Sequence, residues 1–480
     1  MAAFPRSEAE VTSILEEFEA RTGVFGLTVE GVSLWRLLRF EIALTMQNLG
    51  LRRPRVRVSG ILLSLFGAAR QLTTAPRDIP FLGATVVSGL RMFDERGWHD
   101  IYFDPLIDGI GGGAKMLYLD AGGFGENEKR AFRRPVFNDT PLVAASAALG
   151  RLLPVKDDTA FHRLSRLIVE NLDLPAFSPE RIRRKYSVLK WRVRLYRLVL
   201  KRLRPRCLLV PNSGQFALFL AANSLGIPFV EMQHGIFSDK HPDNLPAAAL
   251  LYDRQSVLLP DLFTVYGDYW MELLKTSALG RLDRIRSVGA PLVARGRALR
   301  DRSFAADRAK PVLTLTSQGL ASDRLADFIA TFLKLHPAPV QLNIRLHPGY
   351  EADSNPYEER FAGDPRVILW PGNSRPDTYE MIATSDLHLS ISSACHYEAL
   401  GIGTPTAIIA LSGHEIVRHL ADRGDAILVD SPAALADLVA TRGWGAVSPQ
   451  TSDHYFRRDH VSCMRDILDE CAAMRPREAR

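Results

Sequence analysis

From residue 207 onward the chain alternates short aliphatic, β-branched runs with stretches of helical character, and this alternation sharply limits the folds open to it. Strand-like runs fall at 207–211, 227–232, 262–266 and 285–288, then at 311–316, 340–346, 367–370, 386–391, 405–410 and 426–429. Helical stretches lie between them at 215–225, 321–335, 376–384, 396–401 and 432–441, with more helix from 455 onward. Such alternation predicts parallel sheets, because each crossover helix has to cover a sheet face. The chain has 480 residues, too many for one core at ~100–200 residues per domain. Gly289-Ala290-Pro291 breaks regular structure, and 292–310 is charged and lacks strand character. The boundary is placed there, giving domains of 1–291 and 292–480 built as two similar layers that face one another.

Composition bounds the function classes. The apolar and charged fractions, 46% and 24%, are those of an ordinary globular protein. The first residues have neither a basic n-region nor an apolar h-region, so no signal peptide is expected. The longest apolar-looking run, 58–69, is far below the ~20 residues that span a bilayer. Cys207, Cys395, Cys463 and Cys471 show no CxxC spacing and read as thiols in a reducing cytoplasm. The net charge of +6 is local: residues 181–206 hold 12 Lys/Arg and no acid, and without them the balance is −6. That argues against a general nucleic-acid-binding surface and for one special helix. On it Ile182, Tyr186, Leu189, Val193, Tyr196, Leu200 and Leu203 form one apolar stripe. Its basic faces fit either plain solvation or an anionic partner: a membrane surface, a lipid-linked acceptor or a polyanionic glycan.

The first 200 residues are less regular. Residues 8–50 read as two helices, with Ser7 as an N-cap ahead of acidic residues. Segment 52–70 places four arginines before an apolar stretch, which suits a surface loop entering a core helix or an interfacial segment. Short strands are expected at 83–88 and 115–120. The acid- and glycine-rich stretch between them is read as a turn, or as a loop that touches an acceptor through Asp104 and Asp108. No spacing there matches an oxygen cage for a metal.

Three segments at strand ends carry the chemistry, and in open α/β sheets ligands bind at that edge. Arg345-Leu346-His347-Pro348 offers a forked cation and an imidazole donor suited to phosphate, with the turn fixed by proline. Ser392 and Ser393 put hydroxyls beside the free amides of a helix start, and Glu398 further along can accept from ribose hydroxyls. Gln233-His234-Gly235 ends a strand in the other half. His234 titrates near neutral pH and can take a proton from an acceptor hydroxyl, and Gly235 gives the backbone freedom for close approach. His241 follows, but two histidines without a third ligand make a poor metal site. Each segment alone is also explained by ordinary structure: a core histidine, an N-cap serine, a solvated glutamate.

Together these residues resemble the GT-B glycosyltransferases of bacterial surface polysaccharide synthesis. The nearest look-alikes are the capsule polysaccharide transferases and the teichoic-acid glycerophosphotransferases. The matching motifs are Gln233-His234-Gly235, Arg345-x-His347-Pro348, and Ser392-Ser393 followed by Glu398, Gly403 and Pro405. They cover roughly residues 205–430. The resemblance implies an α/β fold of two Rossmann-like domains facing a cleft, with a helical N-terminal extension. It implies transfer of a sugar from a nucleotide-activated donor to a surface polysaccharide or lipid-linked glycan. Arg345, His347, Pro348, Ser392 and Ser393 would hold donor phosphate and Glu398 the ribose. His234, with Gln233, would serve as base or acceptor-side group. No metal or other cofactor is implied, nor a nucleic-acid partner. The expected location is cytoplasmic, peripheral at the inner membrane face through helix 181–204. The loop lacks a Trp before His234, which disfavours a CDP-glycerol donor. UDP-N-acetylglucosamine 2-epimerases share this architecture, and a non-catalytic scaffold of the same fold is a third reading.

Overall fold

The computed structural model describes residues 7–49, 73, 76–85, 90–94, 97–117, 132–133, 135–211, 214–303, 308–319, 321–347, 351, 354–372 and 374–474. Pro348, segment 52–70 and the distal parts of the strands expected at 83–88 and 115–120 lie outside the described residues. The chain forms two compact units. The first comprises 1–265, 270–286 and 461–480, and the second 266–269 and 287–460. By its contacts the chain passes from the first unit to the second after Arg286, and residues 461–480 cluster with the first unit. Pro291 opens the helix Pro291–Ser303, which packs on the second unit's helices Thr378–Ala383 and Cys395–Ile402.

In the first unit β1 (Thr28–Val29) and β2 (Val32–Ser33) form a small antiparallel pair. The main strands are β3 (Leu82–Thr85), then, after an antiparallel pair of β4 (Leu90–Asp94) and β5 (Gly97–Asp100), β6 (Ala114–Leu117), β7 (Val136–Asn138), β8 (Leu208–Val210), β9 (Phe229–Met232), β10 (Leu262–Val265) and β11 (Ile285–Ser287). They form one sheet in the order β11-β10-β9-β8-β3-β6-β7, and the pairs from β10 across to β7 run parallel. β8 (LLV) and β10 (LFTV) are buried along their whole length, as expected of parallel strands covered on both faces.

The expected N-terminal helices are Glu8–Thr22 and Leu34–Met46. Ser7 caps the first in a full capping box with Glu10. They are no appendage: Val11, Leu15, Phe18, Trp35, Leu38 and Ile42 are part of the first unit's core. Glu19 ties them together, accepting from Trp35 Nε1 at 2.8 Å and Arg39 Nε at 2.6 Å.

The basic helix runs Pro179–Leu203, and its apolar stripe is buried or partly buried as expected. Arg181 and Lys185 share Glu41, at 2.7 and 2.5 Å. The helix lies along Thr140–Leu152, and Gly150 makes that closeness possible. A Cβ at Gly150 would stand 2.7 Å from the Val188 backbone.

The second unit contains β12 (Val312–Thr316), β13 (Gln341–Arg345), β14 (Val367–Trp370), β15 (Leu387–Ser390), β16 (Thr406–Ile409) and β17 (Ile427–Val429). They form a parallel sheet in the order β14-β13-β12-β15-β16-β17. Numbered within the sheet, that is 3-2-1-4-5-6, the Rossmann order. The first unit's sheet has the same order with a seventh strand added beyond the sixth. The fold class is therefore α/β, with two Rossmann-like units.

Gly150→Ala tests the helix contact. Alanine would normally gain ~1 kcal/mol of helix propensity, but here its methyl group meets backbone and is expected to cost about 1–3 kcal/mol. Denaturant unfolding measures the sign, and a stabilised variant would show that the two helices do not touch at this point.

Candidate functional site

In a sheet of order 3-2-1-4-5-6 the chain leaves the first strand toward one edge and later returns to build the other. The loops after strands one and four then part, and the crevice between them is where ligands sit. In the second unit those strands are β12 and β15. β12 is followed by Ser317 and Gln318, and β15 by Ile391, Ser392 and Ser393. The two loops meet: Gln318 Oε1 accepts from the Ser392 backbone N–H at 3.0 Å and from Ser392 Oγ at 3.1 Å. Gly413, past the end of β16, adopts φ 102°, and a Cβ there would lie 3.7 Å from Ser392 Oγ. Ser393 Oγ accepts from Cys395 N at 3.2 Å and turns the chain into helix Cys395–Ile402. That helix starts at the crevice, and its first-turn amides are taken up locally: Cys395 N–H by Ser393 Oγ, His396 N–H by Ser393 O, and Tyr397 and Glu398 N–H by Ala394 O. The positive end of its dipole still faces that edge, which favours anions.

Glu398 lies on the first turn of this helix and is half-buried. Tyr379 O–H donates to its Oε1 at 2.7 Å. Burial raises its carboxyl pKa, and the hydrogen bonds from Tyr379 and Cys395 pull it back. Glu398 is thus a fixed acceptor beside the crevice, not a solvated side chain.

The structure corrects the expectation for Arg345. Its guanidinium, only 4% exposed, donates from Nη1 to Ser374 Oγ at 2.9 Å and Pro376 O at 3.1 Å. Nη2 donates to Gly372 O at 2.7 Å and Ser374 O at 3.0 Å. Four donor contacts from the two Nη atoms go to one loop, so Arg345 positions Gly372, Ser374 and Pro376, while its Nε is left without a partner among the described residues. His347 is half-buried, and burial lowers its pKa against a smaller opposing pull from Glu351. Glu351 is hydrogen-bonded to His347 and to three hydroxyls. Its N–H donates to His347 O at 3.2 Å, and its buried carboxylate accepts from Ser322 Oγ at 2.6 Å, from Tyr357 O–H at 3.0 Å and from Ser317 Oγ.

Gln318, Glu351 and Tyr379 were not singled out in the sequence. Gln318 carried the signal used for the serines, a polar residue directly after an apolar strand. Glu351 and Tyr379 carried none, since their partners are distant in sequence.

In the first unit β9 delivers Gln233 and His234 to the carboxyl edge of the sheet. Gln233 N–H donates to Thr264 O at 2.8 Å, and its side-chain Nε2 to Gly235 O at 2.8 Å. Gln233 is buried and shapes the turn. The His234 ring is half-buried and meets Phe237 edge-on at 6.2 Å. Gly235 is not among the residues with positive φ, so its expected backbone freedom is not in use. What it supplies is space, because a Cβ there would meet nothing within 4 Å.

The two aspartates have other duties. Asp104 is buried against Lys115 and accepts from the Asp100 N–H at 2.8 Å. Asp108 pairs at the surface with Arg133. Neither is a free acceptor ligand, which corrects that reading of the 94–113 stretch. It holds the end of β4, all of β5 and the helix Phe103–Ile110. Among the described residues no group of three His, Cys, Asp or Glu could hold a metal ion, and no helix is long and apolar enough to cross a membrane.

No protein-family profile matches the chain, and no curated protein matches it. Solved structures do. UDP-GlcNAc 2-epimerase from Neisseria meningitidis, bound to UDP-GlcNAc, is 14% identical with a TM-score of 0.48, over 81% of this chain and 100% of that one. The glycotransferase of kitacinnamycin is 14% identical with a TM-score of 0.45, over 83% and 100%. MurG of Acinetobacter baumannii is 14% identical with a TM-score of 0.43, over 83% and 100%.

Behind the crevice, β15 and the helix after it bury two histidines on one hydroxyl. His388 Nδ1 and His396 Nδ1 lie 2.8 and 2.6 Å from Thr406 Oγ1, and His388 Nε2 lies 2.9 Å from Thr316 Oγ1. Burial holds His388 well below the ordinary histidine range and His396 down at about 3. Both are neutral in the folded state. Their contribution is full above the unfolded value of ~6.5 and is lost as pH falls, at ~1.4 kcal/mol per pH unit for each histidine. Hydrogen exchange of β15 and β16 between pH 7 and 5 is expected to show this loss, with a shallower slope in His396→Gln. An unchanged slope in that variant would mean that His396 is not held neutral.

Proposed function

We propose that the protein is a glycosyltransferase that uses a nucleotide-activated sugar, with the donor nucleotide in the β12/β15 crevice of the second unit. The observation that carries this reading is the contact of Gln318 with Ser392 at the point where the strand order reverses. The Ser392-Ser393 loop, at the positive end of helix Cys395–Ile402, takes the phosphates. His347, at the end of β13, adds a neutral imidazole. Glu398, held by Tyr379, accepts from ribose hydroxyls, and its upward pKa shift fits a carboxylate waiting for donors. Arg345 and Glu351 act one step back, fixing the loops that carry these groups.

In the first unit His234 is the acceptor-side base, oriented by the turn that Gln233 holds. Its imidazole would take the proton of the attacking hydroxyl as the glycosidic bond forms and the nucleotide leaves. A surface polysaccharide or lipid-linked glycan is the proposed acceptor, and work at the inner face of a membrane the proposed setting.

Two measurements test this. Thermal unfolding with CMP, CDP, UDP, GDP and ADP is expected to show selective stabilisation by one nucleotide, ~2.7 kcal/mol at a hundred times its dissociation constant. The shift should be lost in Gln318→Ala/Ser392→Ala. With the matching donor, His234→Ala is expected to keep nucleotide binding and to lose about 10²–10⁴-fold in turnover. A transferase releases nucleotide only when acceptor is present. Conversion of the sugar with the nucleotide still attached would identify an epimerase instead, and no stabilisation by any nucleotide would leave the scaffold reading.

A further inference from the structure

The basic helix Pro179–Leu203 buries one stripe in the first unit, yet its outward face is not a plain solvated surface. Leu198, in the middle of that face, is 63% exposed. Trp191, two turns earlier on the same face, is half-buried and donates Nε1–H to Leu153 O at 3.1 Å. This joins the helix to the end of the neighbouring helix Thr140–Leu152, where Leu152 is 74% and Leu153 55% exposed. Single exposed leucines are ordinary, but three of them with a tryptophan on two adjoining helices make a group that marks an interaction surface.

Several exposed cations lie on the same two helices. Arg151, Arg184, Arg194 and Lys201 are exposed, and none makes an ion pair with an acid among the described residues. Arg194 instead stacks its guanidinium 4.5 Å from the Trp191 ring centre. The helix's paired cations, Arg181, Lys185 and Lys190, reach Glu41 and Glu30. The unpaired ones flank the exposed leucines. An aromatic ring and leucines set among cations on one face is the pattern of a surface that lies in the interface of a bilayer. A soluble polyanion would engage the cations and leave the leucines wet.

We infer that this face docks on an anionic lipid bilayer, with Leu152, Leu153, Leu198 and Trp191 entering the headgroup region and Arg151, Arg184, Arg194 and Lys201 facing lipid phosphates. The inference supplies the contact residues for the membrane setting proposed above, but it rests on the first unit's surface alone and does not require that reaction.

The test is co-sedimentation of the full chain with vesicles of phosphatidylcholine alone and of phosphatidylcholine with phosphatidylglycerol. Binding is expected only to the anionic vesicles, weakening as salt rises. Leu152→Glu/Leu198→Glu and, separately, Arg184→Glu/Arg194→Glu/Lys201→Glu should each weaken it by about tenfold or more. All these positions are exposed, and each variant's melting temperature and nucleotide-induced stabilisation are recorded with it. Retained nucleotide stabilisation with lost vesicle binding assigns the effect to docking. Vesicle binding by a chain that no nucleotide stabilises supports the docking and removes the proposed function. The inference is overturned by equal binding to neutral vesicles, by no binding to either kind, or by binding that the charge changes abolish and the leucine changes leave intact. That last pattern is the signature of a soluble polyanion site.

Discussion

Everything that positions the site follows from the way parallel strands must be connected. A parallel pair cannot be closed by a tight turn, so each strand is followed by a crossover on a sheet face, and the crossovers share one hand. A chain that starts in the middle of the sheet and fills one edge first must come back past its starting strand to fill the other. Both units do this. The return leaves two loops at the carboxyl edge heading in opposite directions, with nothing of the sheet's own to fill the space. In the second unit that space is bordered by Gln318 and Ser392. The buried core of Leu313, Leu315, Leu342, Ile344, Leu387 and Leu389 holds the strands so that the loops have no choice of position.

Polar groups around the crevice are satisfied in a graded way. Deepest are the neutral histidines on Thr406, which cost nothing in charge burial because each ring carries only one proton. Next come Arg345 and Glu351, two charged groups most of whose hydrogen bonds go to backbone and hydroxyls of neighbouring loops. Buried charges persist only when paired or hydrogen-bonded in this manner. Nearest the crevice stand groups with simpler ties: Ser392, Ser393, His347 and Glu398. Capacity to bind something new is therefore concentrated at the rim, and rigidity behind it.

The second unit was legible because its strands are short, apolar and separated by helices with clear starts and stops. Val367–Trp370 was read to the residue, and the others to within one or two positions. The same reading of the first unit found β8 to β11 and the basic helix. It missed β7, a three-residue strand, and the helices Thr140–Leu152 and Thr159–Leu172, whose sequences offer weaker boundaries. It also took the β4–β5 pair for a loop. In the site, His234, Ser392, Ser393 and Glu398 lie at the strand or helix ends expected of them. Arg345 was misjudged for a reason no motif reveals. Its partners are mostly main-chain carbonyls some thirty residues away, and main chain leaves no mark on side-chain identity. Asp104 was misjudged likewise, because Lys115, its partner, lies inside what reads as an apolar strand.

The helix His460–Ala473 leaves one more consequence. It belongs to the first unit, where Glu470 holds Arg286 through two contacts of 2.9 and 3.2 Å and Cys471 is buried. A ribosome making this chain therefore completes every strand of the first sheet long before it makes the helix that closes its surface. The second unit, contained in residues 266–269 and 287–460, has all its parts first. Domains usually mature from the amino end as they emerge. Here the order is inverted: the unit begun first is completed only after residue 460, once the whole of the second has been made.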